Sequence, residues 1–435
     1  MQAKREKYLK RLIEKKHNGR IKIITGLRRV GKSYLLFELF AKHLHEQGVE
    51  DSHILKMPLD ERAFARYRNP AELDSFVRAW VRGDDKMHYV FLDEIQFVAT
   101  VQNPWLPGDT IGFVDVLLGL MKIRNADIYV TGSNSRMLSK DVVTQFRDRG
   151  DEIRVNPLTF REYYDVCEDK ENAWLEYRTY GGLPNLINMK THEEKAAYLK
   201  NLFASTYNRD VLERNRLDGE MDTLDDLLKA VSSSVGSLTN PSRISNTFKS
   251  ELKKDIPPAT VAKYLACFED AFILEKANRY DVKGRKYLGT PMKYYYTDVG
   301  LRNARLDFRQ QEESHIMENI LYNELKYRGF EVDVGAVEYN YKEGGKSKRK
   351  QLEIDFVANK GSERIYIQSA LTVADSEKMR QETESLRRTK DGFRKVVITK
   401  DEAYPWHTED GILVLNLRQF LLNEDYFTMT FLPLL

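Results

Sequence analysis

Cysteine is scarce in this sequence, because its 435 residues contain only Cys167 and Cys267. Two isolated cysteines build neither a disulfide framework nor a thiolate metal site, so we expect a reducing compartment. Long apolar runs are lacking too. No stretch reaches the length of a membrane span, and the N-terminus lacks the apolar core of a signal peptide. The sequence therefore predicts a cytoplasmic protein without a membrane partner.

An excess of charge of one sign is also missing. Lys and Arg total 69 and Asp and Glu total 66, and a net charge of +3 is too small to identify a partner. The length predicts two or three domains. Within residues 1–20, eight basic side chains accompany Tyr8, Leu9, Leu12 and Ile13, whose spacing is helical. This basic helix could contact nucleic acid or present a solvated face.

Residues 26–33 carry a phosphate-binding pattern. They read G-x-x-x-x-G-K-S, after the apolar run 21–25 and before a run of helix-forming residues. Glycines let the backbone curl so that N–H groups point at phosphate oxygens, and the helix adds its positive end. We expect Lys32 to reach the β- and γ-phosphates of a nucleoside triphosphate and Ser33 to hold Mg²⁺. The predicted nucleotide-binding residues are Gly26, Arg28, Arg29, Val30, Gly31, Lys32, Ser33 and Tyr34.

A second apolar run, residues 87–92, ends in Asp93 and Glu94. An apolar strand buried between helices would deliver Asp93 to the Mg²⁺ shell. Glu94 would then orient or deprotonate the attacking water. Such a run is weak evidence alone, but about sixty residues after a phosphate-binding loop it indicates the second half of an NTPase site.

Polar residues follow a further predicted strand at 126–132. Asn134 or Ser133 could contact the γ-phosphate, or could form a local turn or helix cap. Arg149 precedes another strand, at 152–155. An arginine at the γ-phosphate stabilises transition-state charge, in cis or from a neighbouring subunit, and the alternative is a surface salt bridge.

Several segments together resemble a widespread prokaryotic family of AAA-type ATPases, whose members pair the ATPase with a C-terminal region of undefined function. The resemblance implies Walker A and Walker B motifs, ATP and Mg²⁺ as cofactors, a sensor at Asn134 (or Ser133) and an arginine finger at Arg149. The segments that carry the resemblance are residues 26–33, 92–96, 130–135, 156–162, 180–184 and 208–211.

Residues 221–311 show three helix-like runs followed by two strand-like runs, which is typical of a winged helix-turn-helix. If the third helix reads DNA, then Thr260, Lys263 and Tyr264 would face the major groove. The same module also packs against proteins, so this pattern leaves DNA and protein contacts open.

Residues 312–400 resemble the core of PD-(D/E)xK nucleases, with Glu318 on a helix and Asp355 on a strand. That chemistry needs a further acid and a lysine two residues apart on one strand. Gln368 and Ala370 stand there instead, and an amide binds Mg²⁺ more weakly than a carboxylate does. We expect a nuclease-like fold without robust cleavage, acting as a binding or assembly module.

We therefore predict an α/β protein in which a P-loop NTPase parallel sheet with a helical lid precedes a winged helix and a small α/β restriction-endonuclease-like domain. The expected function is ATP hydrolysis with Mg²⁺, coupled to conformational change of the C-terminal modules. Candidate partners are DNA, another protein or a second copy of the chain. The alternatives are an ATP-dependent DNA-processing nuclease and a nucleotide-gated protein-binding switch with little turnover. The predicted domains are an ATPase core (1–158), a lid (159–220), a winged-helix-like domain (221–311) and a nuclease-like domain (312–435).

Overall fold

The computed structural model describes residues 3–133, 149–213, 215–310, 312–344, 346–401 and 404–427. The chain divides into two compact units. The N-terminal unit comprises residues 2–157 with 270–272, and the C-terminal unit comprises residues 158–269 with 273–435. Within the described ranges, no helix combines the length and apolar character that a membrane crossing requires. The predicted division into four domains stays a prediction.

The N-terminal unit is built on a five-stranded sheet in which all neighbouring strands are parallel. The order across this sheet is β2-β3-β6-β1-β7, so β6 lies between the strand before the phosphate-binding loop and the strand that ends at Asp93. Strands β4 and β5 form a separate ribbon. The strands are β1 Ile21–Thr25, β2 Ile54–Pro58, β3 His88–Asp93, β4 Val101–Gln102, β5 Thr110–Ile111, β6 Ala126–Thr131 and β7 Gly150–Arg154.

Helices cover this sheet, and every residue of β1 and β3 is buried. Parallel strands that are covered on both faces read as continuous apolar runs, which is why the sequence shows them clearly. The strands predicted at residues 21–25, 87–92, 126–132 and 152–155 are confirmed. The helices are α1 Glu6–Glu14, α2 in three consecutive segments (Lys32–Tyr34, Leu35–Phe40 and Ala41–Glu46, the middle one π-helical), α3 Pro70–Val81 and α4 Phe113–Leu120.

The C-terminal unit contains a mixed eight-stranded sheet and helices. Its helices are α5 Phe160–Val166, α6 Ala173–Tyr180, α7 His192–Thr206, α8 Met221–Ser233, α9 Pro241–Thr247, α10 Pro258–Asp270, α11 Val299–Arg305, α12 Glu313–Tyr327, α13 Ser376–Arg387 and α14 Leu417–Leu422. Its strands are β8 Leu274–Asp281, β9 Lys286–Tyr296, β10 Glu331–Glu343, β11 Lys346–Lys360, β12 Glu363–Ala370, β13 Arg394–Thr399, β14 Trp406–His407 and β15 Leu413–Asn416. Across the sheet they run β14-β15-β13-β12-β11-β10-β8-β9.

The hairpin β8–β9, predicted as the wing of a winged helix, belongs to this sheet. Strand β8 pairs in parallel with β10, in register Val334↔Arg279. One residue of the predicted recognition helix needs correction. Tyr264 is 4% exposed and hydrogen-bonds Glu220, so it cannot face a DNA groove. Thr260 is half-buried and Lys263 is exposed.

Two consecutive glycines close a tight contact in the C-terminal unit. Gly181 has φ +79°, and a Cβ there would lie 2.2 Å from Asp298 Oδ1. The Gly182 N–H donates to Asp298 Oδ2 at 2.8 Å, and the Leu301 N–H at the start of α11 donates to Oδ1 at 3.2 Å. Burial raises the pKa of Asp298 to about 6, although these backbone N–H groups oppose the rise. The carboxyl group thus joins the 181–182 turn to helix α11.

We predict that Asp298→Ala lowers the free energy of unfolding by about 3 kcal/mol, because it strands buried N–H donors and removes a helix cap. Between about pH 4 and 6 the folded parent holds a proton that its unfolded chain has released, so the parent loses stability there as pH rises. The gap between parent and variant should therefore be about 1 kcal/mol larger at about pH 5 than at about pH 7. Urea unfolding of the parent and the variant at both pH values measures this gap.

The control is Asp255→Ala, since Asp255 is exposed and paired with Lys249 at the surface. That variant should lose less than about 1 kcal/mol at either pH. An Asp298→Ala variant as stable as this control would contradict the structural role of Asp298.

Candidate nucleotide-binding site

The phosphate-binding loop connects the end of β1 to the start of α2. Gly26 has φ +137°, and a Cβ at this position would lie 2.2 Å from the carbonyl oxygen of Val155 on the adjacent segment. Gly31 has φ +91° and caps the amino end of α2. Both glycines of the pattern are therefore required by the backbone path.

Lys32, the first residue of α2, is 4% exposed. Its ammonium donates hydrogen bonds to the carbonyl oxygens of Gly26 at 3.0 Å and Leu27 at 3.1 Å. A buried ammonium must keep such partners, and phosphate oxygens can replace carbonyl oxygens as acceptors. The Lys32 ammonium is therefore held against the loop that the sequence predicts to bind the phosphates.

Asp93, at the end of β3, is linked to two neighbouring elements. The Ser33 hydroxyl in the first turn of α2 donates to Asp93 Oδ2 at 2.7 Å. The Thr131 hydroxyl at the end of β6 donates to Asp93 Oδ1. Burial raises the pKa of Asp93, while the hydrogen bonds from Thr131 and Ser33 and the charge of Lys32 lower it. The structure thus brings Ser33 and Asp93 together near Lys32, and their roles towards a nucleotide stay predictions.

Glu94 adopts the left-handed conformation, with φ +52° and ψ +52°. This conformation costs a non-glycine residue on the order of 1 kcal/mol, so the surroundings must hold it. The Glu94 N–H donates to Thr131 Oγ1 at 2.9 Å. The side-chain amide of Gln96 donates to the Glu94 carboxylate and, at 3.3 Å, to Ser133 Oγ. The Gln96 amide thus links the Glu94 carboxylate to the Ser133 hydroxyl.

Sequence reasoning missed Thr131 and Gln96. Thr131 ends the strand that lies between β1 and β3, so its hydroxyl meets the two acids only because of the strand order. A signal was present, since a polar residue ending a buried parallel strand lies at the carboxyl edge where ligands bind.

The other predicted site residues are placed as follows. Arg28 and Tyr34 are half-buried, Arg29 is exposed with φ +66°, and Val30 is buried. Asn134 lies outside the described residues, so its predicted role stays a prediction.

Arg149 lies at the far end of the sheet from the loop. Its carbonyl oxygen accepts a hydrogen bond from the N–H of Ile21, the first residue of β1, at 3.0 Å. The loop begins after the last residue of β1, about 16 Å further along the strand. Within one chain the structure does not bring Arg149 to Lys32, and a role from a neighbouring subunit stays a prediction.

The donor set at the loop fits a magnesium ion. Mg²⁺ takes oxygen ligands and is usually held by one or two protein groups together with phosphate oxygens and waters. The Ser33 hydroxyl and the Asp93 carboxylate are oxygen ligands 2.7 Å apart, beside the loop that would carry the phosphates. No large rearrangement is needed to direct both at one ion.

A second group of charged side chains, the Lys293 cluster, lies in the C-terminal unit. It comprises Lys293 on β9, Glu318 on α12, and Glu353 and Asp355 on β11. The Lys293 ammonium, 2% exposed, lies 2.8 Å from Glu318 Oε1, 2.6 Å from Glu353 Oε1 and 3.7 Å from Asp355 Oδ1. The Tyr295 hydroxyl also donates to Glu318, at 2.6 Å. Glu318 and Asp355 are thus brought together through a lysine that sequence reasoning missed.

Electrostatics in this cluster favour a charged lysine. Burial alone would lower the pKa of Lys293, but Glu318, Asp355 and Glu353 raise it above its ordinary value. Burial raises the pKa of Asp355, with Glu318 adding to the rise and Lys293 opposing it. Gln368 instead accepts a hydrogen bond from Ser385 at 3.4 Å, and Ala370 packs in the apolar core.

The parallel sheet, the loop at residues 26–33 and the acids at the end of β3 define a P-loop NTPase fold. Two family models match the chain: an AAA domain at residues 18–164, and a domain of unknown function (DUF8612) at residues 171–312. A Haemophilus influenzae protein described as uncharacterized is 32% identical over 429 residues, covering 96% of this chain and 98% of that protein. The chain therefore belongs to this family of AAA-domain proteins with a C-terminal region of unknown function.

Two further similarities extend this comparison. An uncharacterized protein of Methanocaldococcus jannaschii is 26% identical over 375 residues, covering 82% of this chain and 76% of that protein. Among solved structures, the Walker-type ATPase of Pyrococcus abyssi matches with a TM-score of 0.46 and 14% identity, covering 69% of this chain and 95% of that chain. The AAA domain supports nucleotide binding and hydrolysis as the activity class.

We predict that Lys293→Met lowers the free energy of unfolding by about 3–5 kcal/mol, because it leaves buried carboxylates without a counter-charge. Without the ammonium the folded carboxyl groups retain protons that the unfolded chain releases, so the loss should grow as pH rises from about 5 to 8. Adding Asp355→Asn to the Lys293→Met variant should recover part of the lost stability. Chemical denaturation measures all three proteins.

The matched control is Lys286→Met, on the exposed part of the same strand. It should change stability by no more than about 0.5 kcal/mol. Equal stabilities of the two methionine variants would show that Lys293 does not balance the cluster.

Proposed function

We propose that this protein binds ATP with Mg²⁺ and hydrolyses it at the loop of residues 26–33. The observation that carries the proposal is the 2.7 Å hydrogen bond from the Ser33 hydroxyl to the Asp93 carboxylate beside the Lys32 ammonium. A phosphate-binding loop and an acid from a neighbouring strand are the two halves of such a site. The AAA domain match over residues 18–164 supports the same activity.

Each residue has a stated role. Lys32 binds the β- and γ-phosphates, and Ser33 and Asp93 hold the metal ion. Bound Mg²⁺ supplies positive charge that bridges and neutralises phosphate oxygens. Glu94 accepts a proton from the attacking water, and Thr131 is a positioning residue that fixes Asp93 and the Glu94 backbone together. Asn134 is assigned as the sensor of the γ-phosphate.

We predict that Lys32→Ala weakens ATP binding by about 10- to 150-fold, the value of a charged hydrogen bond to phosphate. Glu94→Gln should bind ATP with near-parent affinity but turn it over about 10²–10⁴ times more slowly, since the amide cannot take the proton. Calorimetry measures binding, and phosphate release measures turnover.

Lys42→Ala is the control, because Lys42 lies on the same helix and is exposed. Both its binding and its turnover should equal the parent's. A Glu94→Gln variant that hydrolyses ATP at the parent rate would refute the assigned water-activating role.

The proposal extends to the C-terminal unit. Turnover drives conformational change of that unit, with residues 159–220 as a lid and residues 221–311 and 312–435 as winged-helix-like and nuclease-like modules. DNA is the partner to test first, because Lys263 is exposed and Thr260 is half-buried on α10. ATPase rates with double-stranded and single-stranded DNA measure this coupling. Single-turnover hydrolysis separates an ATPase from a nucleotide-gated switch.

Metal-dependent DNA cleavage is a second candidate function. The observation that favours it is Lys293, which supplies a lysine to Glu318 and Asp355 although position 370 is alanine. Against it, the ammonium already lies between Glu318 and Glu353 and would have to leave before a metal ion could enter. We propose that the Lys293 ammonium neutralises the carboxylates of the cluster and that the cluster does not cleave DNA.

We therefore predict that the parent leaves supercoiled DNA intact in Mg²⁺ or Mn²⁺, as does Asp355→Ala. A nicking assay on both proteins provides the measurement. Cleavage by the parent that disappears in Asp355→Ala would establish the nuclease and overturn the internal-cation account.

A further inference from the structure

Three side chains of the N-terminal unit converge at the amino ends of β2 and β3. His53 immediately precedes β2, His88 is the first residue of β3, and Asp84 lies in the loop that follows α3. His53 Nε2 is 2.9 Å from Asp84 Oδ2, and His88 Nε2 is 3.8 Å from Asp84 Oδ1. One ligand atom from each of the three residues lies within 4.8 Å of the other two.

The environment of this triad is half closed. Both imidazoles are buried, at 6% and 3% exposure, and the ring of Trp80 meets His88 edge-on with centroids 4.9 Å apart. The Asp84 side chain is 44% exposed, which leaves one side of the triad open to water. Buried rings therefore converge on a carboxylate that solvent can reach.

The hydrogen bonds of His88 determine which of its nitrogens carries the proton. Its Nδ1 lies 2.8 Å from the carbonyl oxygen of Lys86, and a carbonyl oxygen only accepts. Nδ1 therefore carries hydrogen, and in the neutral ring Nε2 presents a lone pair towards Asp84. A lone pair and a carboxylate oxygen that face each other are both donors that a metal ion can bind.

The hydrogen bonds of His53 are compatible with both the metal-free and the metal-bound state of the triad. Its Nδ1 lies 3.0 Å from the Ser52 hydroxyl, which can donate or accept. The ring can present an N–H to Asp84 or, after the proton moves to Nδ1, a lone pair to a metal ion. In both states the bond to Ser52 is kept.

The loop that carries Asp84 is already ordered by its own hydrogen bonds. The Lys86 N–H donates to Asp84 Oδ1 at 2.8 Å, and the Asn125 amide donates to the Asp84 carbonyl oxygen at 3.0 Å. A carboxylate that is already held in place needs little reorganisation to bind a cation.

We propose that His53, Asp84 and His88 form a binding site for one divalent transition-metal ion of the zinc type. Two imidazole nitrogens and one carboxylate oxygen are the ligands such ions prefer. Metal–ligand bonds of about 2.0–2.1 Å place neighbouring tetrahedral ligands about 3.3 Å apart. The three ligand atoms lie within 4.8 Å of one another, so a small inward movement of the side chains would bring them to that separation. The fourth position faces water on the open side of Asp84.

This site is separate from the proposed nucleotide site and does not depend on it. His88 begins β3, whereas Asp93 ends it, so the two lie at opposite ends of one strand. An ion there would tie the start of β2 to the start of β3. Its chemistry also differs from that of the Ser33 and Asp93 pair, which offers oxygen ligands only.

Calorimetric titration of the EDTA-treated full-length protein with ZnCl₂, without nucleotide, tests the proposal. The parent should bind one Zn²⁺ at the triad. His88→Gln, His53→Gln and Asp84→Asn should each weaken that binding at least about tenfold, the scale of an altered metal shell. Asp84→Asn keeps an acceptor for the Lys86 N–H and is exposed, so it should fold normally, which circular dichroism checks.

The matched control is His45→Gln, because His45 forms an exposed pair with Asp51 at 3.2 Å and, among the described residues, belongs to no group of three possible metal ligands. It should bind Zn²⁺ as the parent does. A parent that shows no saturable Zn²⁺ binding, or Asp84→Asn and His88→Gln variants that bind Zn²⁺ with parent affinity, would overturn the proposal and leave a histidine–aspartate hydrogen-bond network in its place.

Discussion

The hydrogen bonds to Asp93 are the constraint on which the candidate site depends. They join three elements, because Ser33 belongs to α2, Asp93 ends β3 and Thr131 ends β6. Thr131 also accepts the N–H of Glu94 and so holds its left-handed backbone. A buried carboxylate is costly without such donors, and the same donors keep it aimed at the phosphate-binding loop. The site is therefore built at the ends of strands, and the pairing of those strands in the sheet fixes the positions of its side chains.

The carboxyl and amino ends of the parallel sheet carry different sets of polar groups. The carboxyl end carries the loop, Lys32 and the acids, whose partners can be exchanged for a ligand. The amino end is held by polar contacts within the protein, above all the ion pair of fully buried Lys22 with Asp127, which also accepts a hydrogen bond from Tyr129 at 2.7 Å. Removing one partner of such a buried pair is strongly destabilising, because it leaves an unpaired buried charge.

Local patterns allowed much of this to be predicted. The loop, the strands and the acids at 93 and 94 are each encoded within a few consecutive residues. Thr131, Gln96 and Lys293 were missed because their partners are remote in sequence and the strand order is not a local property. Arg149 shows that more could have been inferred: a residue just before a parallel strand lies at the amino end of the sheet, away from the loop. The prediction that Tyr264 faces a DNA groove was wrong for another reason, because spacing alone did not reveal which face of α10 is buried.

The most direct test of the account is whether Asp93 and the loop bind a metal–nucleotide complex together. Mn²⁺ can replace Mg²⁺, and electron paramagnetic resonance reports the free ion during titration with and without ATP. The account predicts that ATP makes the parent bind one Mn²⁺ at least about tenfold more tightly, and that Asp93→Asn abolishes most of this gain. Equal ATP-dependent Mn²⁺ binding in the parent and in Asp93→Asn would contradict the account.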